Sequence, residues 1–430
     1  MMKRVGIISL GCAKNLVDSE NILGLLDHDK YQITSNLEEA DIVFINTCGF
    51  IEASKKESIE TIFDTLSSDK KVVVTGCLAE RYHDQLKKEI PEVSLFIPIS
   101  QYHRFNELLE EVDSSFPKEK IGLTDKYRII STGPVSAYLK IGEGCDNRCS
   151  YCAIPLIRGG FISRPYADII DEANKLAKQG IKEIVVLQQD TTKYGIDLNS
   201  PDNIVSLLKG LLEIKDFEYI RLLYLYPDEI TDELIDLIAN EPRLTPYFDI
   251  PIQHSEDKIL KAMNRRGDKS DLIALFQKIR QKVPHAVLRT TVMVGFPGET
   301  EEDFQGLVSF IKEIEFDHLG AFAYSREEDT PAFHFPHQID EEIKKQRLDK
   351  IMKVQQPISY RKNKNHINEV MEGLVVGKEK ENYLFRSYWN APDDVDGKIF
   401  VKSEKKLNLG DKVKVKITEA FVYDLIGEIV

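Results

Sequence analysis

Three cysteines close together in the sequence form the segment with the most specific chemistry in this chain. The segment Cys145-Asp-Asn-Arg-Cys149-Ser-Tyr-Cys152 follows a predicted strand, and its C-x3-C-x2-C spacing places three thiols on one tight loop. Three thiolates can hold three irons of a 4Fe–4S cluster and leave the fourth iron open. A zinc site would usually need a fourth Cys or His, and the next histidine is the distant His254. The spacing therefore predicts an open iron–sulfur site, with a chance grouping of thiols or an incomplete zinc knuckle as the alternatives.

The other three cysteines are far apart in the sequence but occupy equivalent positions. Cys12, Cys48 and Cys77 each come shortly after a predicted strand, at the ends of the segments ISLGC, INTC and VTGC. Because loops at the carboxyl ends of parallel strands meet at one crevice, we expect these thiols to lie close together. They then form a second three-cysteine site for a cluster with an open iron. For each cysteine taken alone, a buried and unreactive thiol is the alternative.

The length and composition of the chain limit the classes of protein to which it can belong. Its 430 residues, 42% hydrophobic and 30% charged, provide material for roughly three globular domains. No apolar run approaches the ~18 to 20 residues of a membrane span, and the apolar stretch near Met1 is too short for a secretion signal. We therefore expect a cytoplasmic protein with no membrane partner, whose thiols serve metals or catalysis rather than disulfides.

The charge balance of the chain is acidic. The sequence carries 57 basic and 71 acidic residues, for a net charge of −14. The acid excess lies in residues 1–360, whereas residues 361–430 are almost balanced. A protein that binds by neutralising phosphates needs a basic excess. The charge therefore favours a basic or a small partner over a nucleic acid, with solubility alone as the alternative explanation.

The elements that must position the first three thiols form an open parallel sheet. Predicted strands are Val5–Leu10, Ile42–Asn46, Val72–Thr75 and Leu95–Ile99, and predicted helices include Asn15–Leu26, Ser58–Leu66 and Glu80–Glu89. This alternation is typical of an α/β unit with helices on both faces of the sheet. The turn-rich stretch Ser131-Thr-Gly-Pro134 closes the unit.

A second α/β region positions the C-x3-C-x2-C loop and extends to about residue 330. Its predicted strands are Ala137–Ile141, Glu183–Leu187, Tyr219–Tyr224, Tyr247–Ile250, Leu288–Val294 and Leu319–Tyr324. Its predicted helices include Ala167–Lys178, Ile204–Leu212, Asp257–Met263, Leu272–Lys282 and Glu301–Glu313. Six strand–helix repeats predict a parallel barrel, complete or partial. An acidic amphipathic helix, Asp340–Gln356, follows.

The last part of the chain changes to short strands divided by turns. The predicted strands are Gly373–Val376, Tyr383–Arg386, Lys398–Val401, Lys412–Thr418 and Leu425–Val430. Five short strands predict a small antiparallel β-barrel. Aromatic and cationic residues in Tyr383-Leu-Phe-Arg386, with Trp389, suit a grip on single-stranded RNA, and core packing explains the aromatics equally well. We expect three domains, at residues 1–128, 133–358 and 362–430.

These segments together resemble the radical S-adenosylmethionine (SAM) methylthiotransferase family over essentially the whole chain. The residues that carry the resemblance are Gly11-Cys-Ala-Lys-Asn-Leu-Val-Asp-Ser-Glu20, Gly142-Glu-Gly-Cys-Asp-Asn-Arg-Cys149 and Phe248-Asp-Ile-Pro-Ile-Gln-His254. They are more similar to the branch of the family that modifies a ribosomal protein. The branch that modifies transfer RNA typically has Gln-Met-Asn after the first cysteine, where this chain has Ala13-Lys14-Asn15.

The resemblance implies a fold and a reaction. The fold is an amino-terminal methylthiotransferase domain, a partial (β/α)6 radical SAM barrel and an OB-like TRAM barrel. The cofactors are SAM and two 4Fe–4S clusters, one at Cys145, Cys149 and Cys152 and an auxiliary one at Cys12, Cys48 and Cys77. The reaction methylthiolates the β-carbon of an aspartate in small-subunit ribosomal protein twelve, a basic partner, through a 5′-deoxyadenosyl radical. The product is 3-methylthioaspartate, and an electron donor such as flavodoxin or ferredoxin is a further partner.

Other residues are expected near SAM, and no catalytic residue is assigned beyond the cluster ligands. The family places an aromatic such as Tyr151 and the turn Gly295-Phe-Pro-Gly298-Glu299 beside the adenine; core packing and a plain strand-to-helix turn are the alternatives. Arg158 and Arg164 can pair with the SAM carboxylate, because guanidinium binds carboxylates bidentately, or can form structural ion pairs. Gln189 and His254 follow strands that face the predicted barrel mouth, although a structural histidine is equally compatible with His254.

Two other functions remain open from the sequence. The first has the same chemistry but acts on an adenosine of transfer RNA next to the anticodon; the acidic charge and the segments Ala13–Asn15 and Asp249–His254 argue against it. The second is a non-catalytic RNA-binding protein whose clusters are structural or redox-sensing. Iron content and SAM cleavage under reduction distinguish this second function from an enzyme.

Overall fold

The chain folds into two units, each assembled from separate stretches of the sequence. The structure, a computed structural model, describes residues 2–26, 29–68, 70–109, 128–392 and 395–430. Unit 1 comprises Met1–Ser131, Glu143–Ile162 and Ser325–Phe333. Unit 2 comprises Thr132–Gly142, Ser163–Tyr324 and His334–Val430. The C-x3-C-x2-C loop therefore belongs to the same unit as the amino-terminal sheet.

A five-stranded parallel sheet forms the framework of unit 1. Its strands are β1 (Lys3–Ser9), β2 (Tyr31–Ile33), β3 (Ile42–Thr47), β4 (Lys71–Gly76) and β5 (Leu95–Ile97), in the spatial order β2-β1-β3-β4-β5. Alternate residues of β3 face opposite sides: Ile42 and Phe44 pack in one apolar core, and Val43 and Ile45 pack in another. The prediction of an open parallel sheet covered on both faces is confirmed.

Helices follow the strands of unit 1. They are α1 (Ala13–Gly24), α2 (Glu52–Leu66), α3 (Cys77–Arg81), α4 (His83–Glu89), α5 (Phe105–Leu109) and, later in the chain, α6 (Ile154–Arg158). The predicted helix Glu80–Glu89 is two helices, because the backbone leaves the helical region at Tyr82. Strand β2 was not predicted, since three residues are too few to show a period of two.

Six parallel strands in two sheets form the barrel of unit 2. They are β6 (Ser136–Lys140), β9 (Glu183–Leu187), β10 (Tyr219–Leu222), β11 (Tyr247–Asp249), β12 (Val287–Val294) and β13 (His318–Ala323), with the two-residue strands β7 (Gly142–Glu143) and β8 (Ile162–Ser163) between β6 and β9 in sequence. The sheets have the orders β10-β9-β6 and β11-β12-β13, and the bridge between Ile220 and Leu244 joins them. Spatial order follows chain order, as the prediction of a partial (β/α)6 barrel requires.

Helices of unit 2 follow the barrel strands. They are α7 (Tyr166–Lys178), α8 (Ile204–Leu212), α9 (Asp232–Asn240), α10 (Asp257–Ala262), α11 (Lys269–Lys282), α12 (Glu301–Ile314) and α13 (Glu341–Asn365). Helix α13 continues nine residues beyond the predicted end at Gln356, through Pro357. The proline removes one backbone donor, but Ile358, Ser359 and Asn363 beyond it are buried, so packing holds the last turns in place.

The chain ends in a closed five-stranded barrel. Its strands are β14 (Val370–Glu379), β15 (Asn382–Arg386), β16 (Ile399–Lys402), β17 (Lys412–Ala420) and β18 (Leu425–Ile429), in the closed order β14-β15-β16-β18-β17. The predicted antiparallel barrel is confirmed, with one difference: β16 and β18 pair in parallel.

The small barrel shares its core with the larger barrel of unit 2. Phe385 and Trp389 pack with Tyr247 and Val287, and Arg386 pairs with the buried Glu183 at 3.0 Å. These side chains are thus structural, and of the two interpretations that the sequence left open for this segment, the structure supports core packing for Phe385 and Trp389 over a grip on RNA. In the part of the chain that the structure describes, no helix is both long enough and apolar enough to cross a lipid bilayer.

Candidate functional site

The three amino-terminal cysteines lie at the carboxyl ends of three adjacent strands. Cys12 is the residue before α1, three positions after β1; Cys48 follows β3 directly, and Cys77 follows β4 and begins α3. The strand order β1-β3-β4 places the three loops side by side at one edge of the sheet. We call Cys12, Cys48 and Cys77 the auxiliary triad.

Two glycines allow the loops of the auxiliary triad to approach one another closely. A Cβ added at Gly11 would lie 2.9 Å from Cβ and 3.1 Å from Sγ of Cys48, and Gly11 has a positive φ of 89°. A Cβ added at Gly49 would lie 2.9 Å from the carbonyl carbon of Cys77. Both distances are below normal contact, so only glycine fits at these two positions. The cysteine loops therefore pack directly against one another.

Buried polar side chains fix the backbone of the auxiliary triad. The Asn15 amide donates to the carbonyls of Leu10 and Thr47, each at 3.0 Å, and so connects the Cys12 loop to the residue before Cys48. The Ser58 hydroxyl accepts from the Cys48 N–H and donates to the Cys48 carbonyl, both at 3.0 Å. Buried polar groups whose hydrogen bonds are all formed resist movement, so these contacts fix the loops of the auxiliary triad in place.

Arg158 contacts the auxiliary triad although it lies 81 residues after Cys77 in the sequence. Its buried guanidinium donates to Asp18 and Glu143, each at 2.8 Å, and to the Asn15 side-chain oxygen. It also lies 3.6 Å from Sγ of Cys77. The sequence left Arg158 open between a partner of the SAM carboxylate and a structural ion pair, and the structure surrounds it with carboxylates and a cysteine of this chain.

The thiols of the auxiliary triad differ in acidity. Burial raises the pKa of the Cys77 thiol to about 11 and also raises the pKa of the Cys48 thiol. Loss of contact with water also favours the neutral thiol of Cys12. The positive charges of Lys14 and Arg158 and the N–H groups at the start of α1 together have a larger effect, and they lower the pKa of Cys12. Metal binding must displace the protons of Cys48 and Cys77, whereas Cys12 ionises first.

The second set of cysteines, which we call the SAM-loop triad, is Cys145, Cys149 and Cys152. All three are half-buried, and none of the six cysteines is in a disulfide. The Cys145 N–H donates to the carbonyl of Gly159, and the Cys152 N–H donates to the carbonyl of Cys149, so the loop is tight. Tyr151, predicted near the adenine, is half-buried on this loop.

The chemistry of the donor set agrees with iron–sulfur clusters. Among the described residues, no group of three or more His, Cys, Asp or Glu side chains could hold one metal ion. An iron–sulfur cluster makes a different demand, because each thiolate binds its own iron. Three thiols on neighbouring strand ends, or on one loop, provide the soft ligands that such a cluster takes. Each triad thus fits a cluster with three protein ligands.

A further set of contacts in unit 1 was missed by the sequence analysis. Arg81, the last residue of α3, donates to the carbonyl of Gly49 at 3.1 Å and pairs with Glu327 at 2.6 Å. The segment around Glu327 also reaches the SAM-loop triad, because the Ala332 N–H donates to the Ser150 carbonyl at 2.8 Å. The residues between 325 and 333 therefore contact the loops of both triads. No local pattern marks such a segment, since its partners are far away in sequence.

In unit 2, unpartnered polar side chains collect at the carboxyl ends of barrel strands. Gln188 follows β9 and is fully buried, yet neither its amide nitrogen nor its oxygen has a hydrogen-bond partner. The side-chain oxygen of Gln253 and Nε2 of His254, which follow β11, are also buried without a partner. Buried polar atoms are normally satisfied. These atoms point to a ligand that the protein binds at this end of the barrel.

The turn after β12 is organised by a buried carboxylate. Oε2 of Glu299 accepts from the N–H of Gly295 at 2.6 Å and of Phe296 at 3.2 Å, and Oε1 pairs with Arg347 at 2.9 Å. Burial raises the pKa of Glu299 to about 7, in spite of Arg347. The predicted turn Gly295–Glu299 is therefore formed, and Glu299 holds its backbone.

His254 lies against this turn as a neutral ring. Its Nδ1 accepts from the N–H of Glu256 at 3.1 Å, which assigns the ring proton to Nε2, 4.0 Å from Oε2 of Glu299. Burial lowers the pKa of His254 to about 3. The ring therefore presents a donor rather than a charge.

The remaining predicted residues of unit 2 lie near strand ends. Arg164 pairs with Glu172 at 2.7 Å and donates to the Lys140 carbonyl at the end of β6. Gln189, predicted near SAM, is half-buried beside the fully buried Gln188. The Gly298 N–H donates to the His337 carbonyl at 3.0 Å. The structure thus shows that Gln188 is more enclosed than Gln189, and the contact of Gln189 with SAM stays a prediction.

Three known domain families match successive parts of the chain. Residues 4–98 match "Uncharacterized protein family UPF0004", residues 139–311 match "Radical SAM superfamily" and residues 367–430 match "TRAM domain". Among solved structures, the radical S-adenosylmethionine methyltransferase TsrM from Kitasatospora setae has a TM-score of 0.55 and 15% identity, with 77% of each chain covered. At that identity the likeness concerns the fold alone.

Relatives with much higher identity match the whole chain. A protein of Clostridioides difficile (strain 630) is 46% identical over 440 residues, which cover 100% of this chain and 99% of the relative. A protein of Aquifex aeolicus (strain VF5) is 46% identical over 430 residues, which cover 99% of this chain and 96% of the relative. Both relatives are named ribosomal protein uS12 methylthiotransferase RimO.

Proposed function

The chain belongs to the family of ribosomal protein uS12 methylthiotransferases, and on that premise we propose that it methylthiolates the β-carbon of an aspartate in uS12. The observation that carries this proposal is the match of 46% identity along the entire chain to a relative of that name. The product is 3-methylthioaspartate. The acidic residues 1–360 suit a basic protein substrate.

Two 4Fe–4S clusters and SAM are the proposed cofactors. Cys145, Cys149 and Cys152 would hold the cluster that binds SAM, and the auxiliary triad would hold the other. When bound, these groups supply the radical, the sulfur and the methyl group. The chain itself orients the six thiolates and buries two of them, Cys48 and Cys77. The support for two clusters is that each triad has three thiols and a supporting frame of its own.

Residues at the carboxyl ends of the barrel strands are the proposed SAM contacts of unit 2. Glu299 positions the backbone of Gly295 and Phe296 in the turn that includes Gly298, and the buried amide of Gln188 offers both a donor and an acceptor. Gln189 follows β9 and Arg164 follows β8, and both are proposed to contact SAM. In unit 1, Tyr151 on the SAM loop is the proposed aromatic contact. A ligand with amino, carboxylate and hydroxyl groups can satisfy such atoms, which is the chemistry of SAM.

The proposal also covers the domain boundaries, the cell compartment and the electron donor. We place the domains at residues 1–128, 133–358 and 362–430, and we infer a cytoplasmic protein because its substrate is ribosomal. An electron donor such as flavodoxin or ferredoxin would reduce the SAM-binding cluster. Membership of the uS12 family favours this substrate over the transfer RNA of the related branch.

The test is turnover by anaerobically reconstituted full-length protein with SAM and a reductant. Purified uS12 and transfer RNA are offered in parallel, and both are analysed by mass spectrometry. We expect 5′-deoxyadenosine and a methylthio group on an aspartate of uS12 alone. Modification of transfer RNA but never of uS12 would overturn the substrate. Bound zinc, or iron without SAM cleavage, would instead favour a binding protein with structural clusters.

A further inference from the structure

The buried guanidinium of Arg158 has a position that SAM binding does not explain. One of its terminal nitrogens donates to Asp18 and Glu143, and the other donates to Asn15 and approaches Cys77 at 3.6 Å. The side chain is only 2% exposed, as is that of Asp18. Four acceptors of this chain therefore surround the cation already. Both terminal nitrogens are therefore occupied by groups of this chain, and a bound carboxylate could pair with them in the bidentate manner only by displacing one of these acceptors.

The backbone that carries Arg158 also packs on the auxiliary triad. Helix α6 begins two residues after Cys152 and ends at Arg158. Ala153 and Ile157 form a buried apolar cluster with Cys77. One short helix thus starts at the last ligand of the SAM-loop triad and ends in contact with a ligand of the auxiliary triad. All of these residues belong to unit 1.

From this geometry we propose that Arg158 is a positioning residue of the auxiliary cluster, which holds the Cys77 thiolate from the end of α6. The inference rests on the proposed function and adds a role for a residue of this chain. The guanidinium holds Cys77 through its own contact with the sulfur. The side-chain oxygen of Asn15, 3.4 Å from the same sulfur, accepts from the protonated thiol only, so the guanidinium is the donor that remains when the thiolate forms. Asp18 on α1 orients the guanidinium.

The position also has an electrostatic consequence. A positive donor beside a thiolate ligand stabilises the more negative, reduced state of a cluster, because hydrogen bonds to the ligand sulfurs and nearby charge set its potential. Asp18 and Glu143 oppose this effect. Removal of Arg158 would leave the two carboxylates without their cation beside the cluster. Both changes act in the same direction, and the auxiliary cluster becomes harder to reduce.

The first experiment isolates the auxiliary cluster. Cys145, Cys149 and Cys152 are replaced by Ala in the full chain, and the midpoint potential of the remaining cluster is measured by redox titration with electron paramagnetic resonance. Arg158→Gln is expected to make reduction at least about tenfold less favourable, which is about 59 mV for a one-electron couple. Arg158→Lys keeps the charge and restores at least half of the shift.

Arg128→Gln is the matched control. Arg128 is also buried and pairs with Glu20, on the same helix as Asp18, at 2.6 Å. The Arg128→Gln variant should leave the midpoint potential and the electron paramagnetic resonance spectrum of the auxiliary cluster unchanged. Loss of the auxiliary iron in Arg158→Gln but not in Arg128→Gln also supports the proposal. A potential and spectrum for Arg158→Gln identical to the parent, or equal shifts in both variants, overturns it.

The second experiment separates this role from binding of the SAM carboxylate. In the protein with all six cysteines, Arg158→Gln should keep its affinity for SAM and its yield of 5′-deoxyadenosine within about twofold, while methylthiolated uS12 falls at least about tenfold. A parallel fall in SAM affinity and 5′-deoxyadenosine would show that Arg158 binds SAM and would overturn the proposal. Failure of the parent protein itself to cleave SAM or to hold two clusters would instead refute the proposed function.

Discussion

Asn15 beside the auxiliary triad and Gln188 at the barrel end of unit 2 are both buried amide side chains, and their hydrogen bonding is opposite. Beside the auxiliary triad, Asn15 is fully buried, and both ends of its amide are satisfied by this chain. At the barrel end, Gln188 is equally buried, and both ends of its amide are unsatisfied. The amide group is therefore structural in Asn15, whereas in Gln188 it is available to hydrogen-bond a ligand.

The difference indicates what each region is built to hold. A cluster that stays with the protein binds well to ligands whose positions are already fixed. The side chains around them then need no ordering when the cluster binds, and this raises the affinity. A cofactor that enters and leaves at each turnover must itself supply the hydrogen-bond partners of the polar atoms that line its site. Unsatisfied buried groups destabilise the empty protein, and ligand binding recovers that cost.

The largest expected effect comes from replacing one ligand of each triad. Cys77→Ala should lower bound iron from about eight to about four per chain and abolish methylthiolation, while SAM cleavage continues. Cys149→Ala should abolish SAM cleavage and leave about four irons. Iron and sulfide analysis with quantification of 5′-deoxyadenosine checks both. Equal loss of SAM cleavage in the two variants would mean that the triads do not act separately.

The second prediction concerns Asn15→Leu. The change leaves the Leu10 and Thr47 carbonyls and one arm of Arg158 without their partner, and unit 1 should lose about 4 kcal/mol, at about 1–3 kcal/mol for each buried group left unsatisfied. Hydrogen exchange of peptides from unit 1 measures the loss. Asn174→Leu, in which an exposed amide is exchanged on α7, is the control and should change stability by less than about 0.5 kcal/mol. A loss of similar size in both variants would contradict the prediction.

The third prediction uses pH at the barrel end. His254 has a folded-state pKa of about 3 against an ordinary value of 6.5, so its contribution to stability is present above pH 6.5 and is lost as pH falls. Between pH 6.5 and pH 5 the loss should be about 2 kcal/mol. Glu299 acts in the opposite direction, because its raised pKa of about 7 makes its contribution fall as pH rises from 4.5 to 7.

His254→Gln separates the two titrations. Relative to wild type, the variant should gain about 2 kcal/mol between pH 6.5 and pH 5, whatever the difference at pH 8. Urea unfolding followed through Trp389, the single tryptophan and a buried residue of unit 2, provides the measurement. A constant difference between the two proteins at all pH values would show that folding does not shift the pKa of His254, and would contradict the prediction.

The smallest effect, and the sharpest contrast with Asn15, is expected for Gln188→Met. With no hydrogen bonds to lose, the cofactor-free protein should gain about 1 kcal/mol, while SAM should bind about tenfold more weakly. Gln355→Met is the control, since that buried amide donates to the Phe316 carbonyl and to Ser359. It should lose about 1 kcal/mol and bind SAM normally. Destabilisation by Gln188→Met would place this residue in the same structural class as Asn15.

Much of this architecture could be predicted because its signals are local. Runs of β-branched residues in β3 and β4 and helical spacing in α8 need no distant partner to be recognised. The cysteines were equally clear, since thiols after parallel strands must meet at one edge of the sheet. Where local and distant forces compete, the local signal was insufficient. The predicted end of α13 was wrong because the helix continues through Pro357, and the sequence left the role of Phe385 and Trp389 open until the structure showed them packed in the core of unit 2.

The sequence by itself determined the family, the three successive folds and the two sets of thiols, because motif spacing and hydrophobic period are properties of neighbouring residues. Only the tertiary structure decided the partners of Arg158, the full burial of Gln188, and the contact of residues 325–333 with both cysteine loops. Each depends on side chains that meet from distant parts of the chain. Which buried polar group is satisfied, and by what, follows from packing rather than from sequence order.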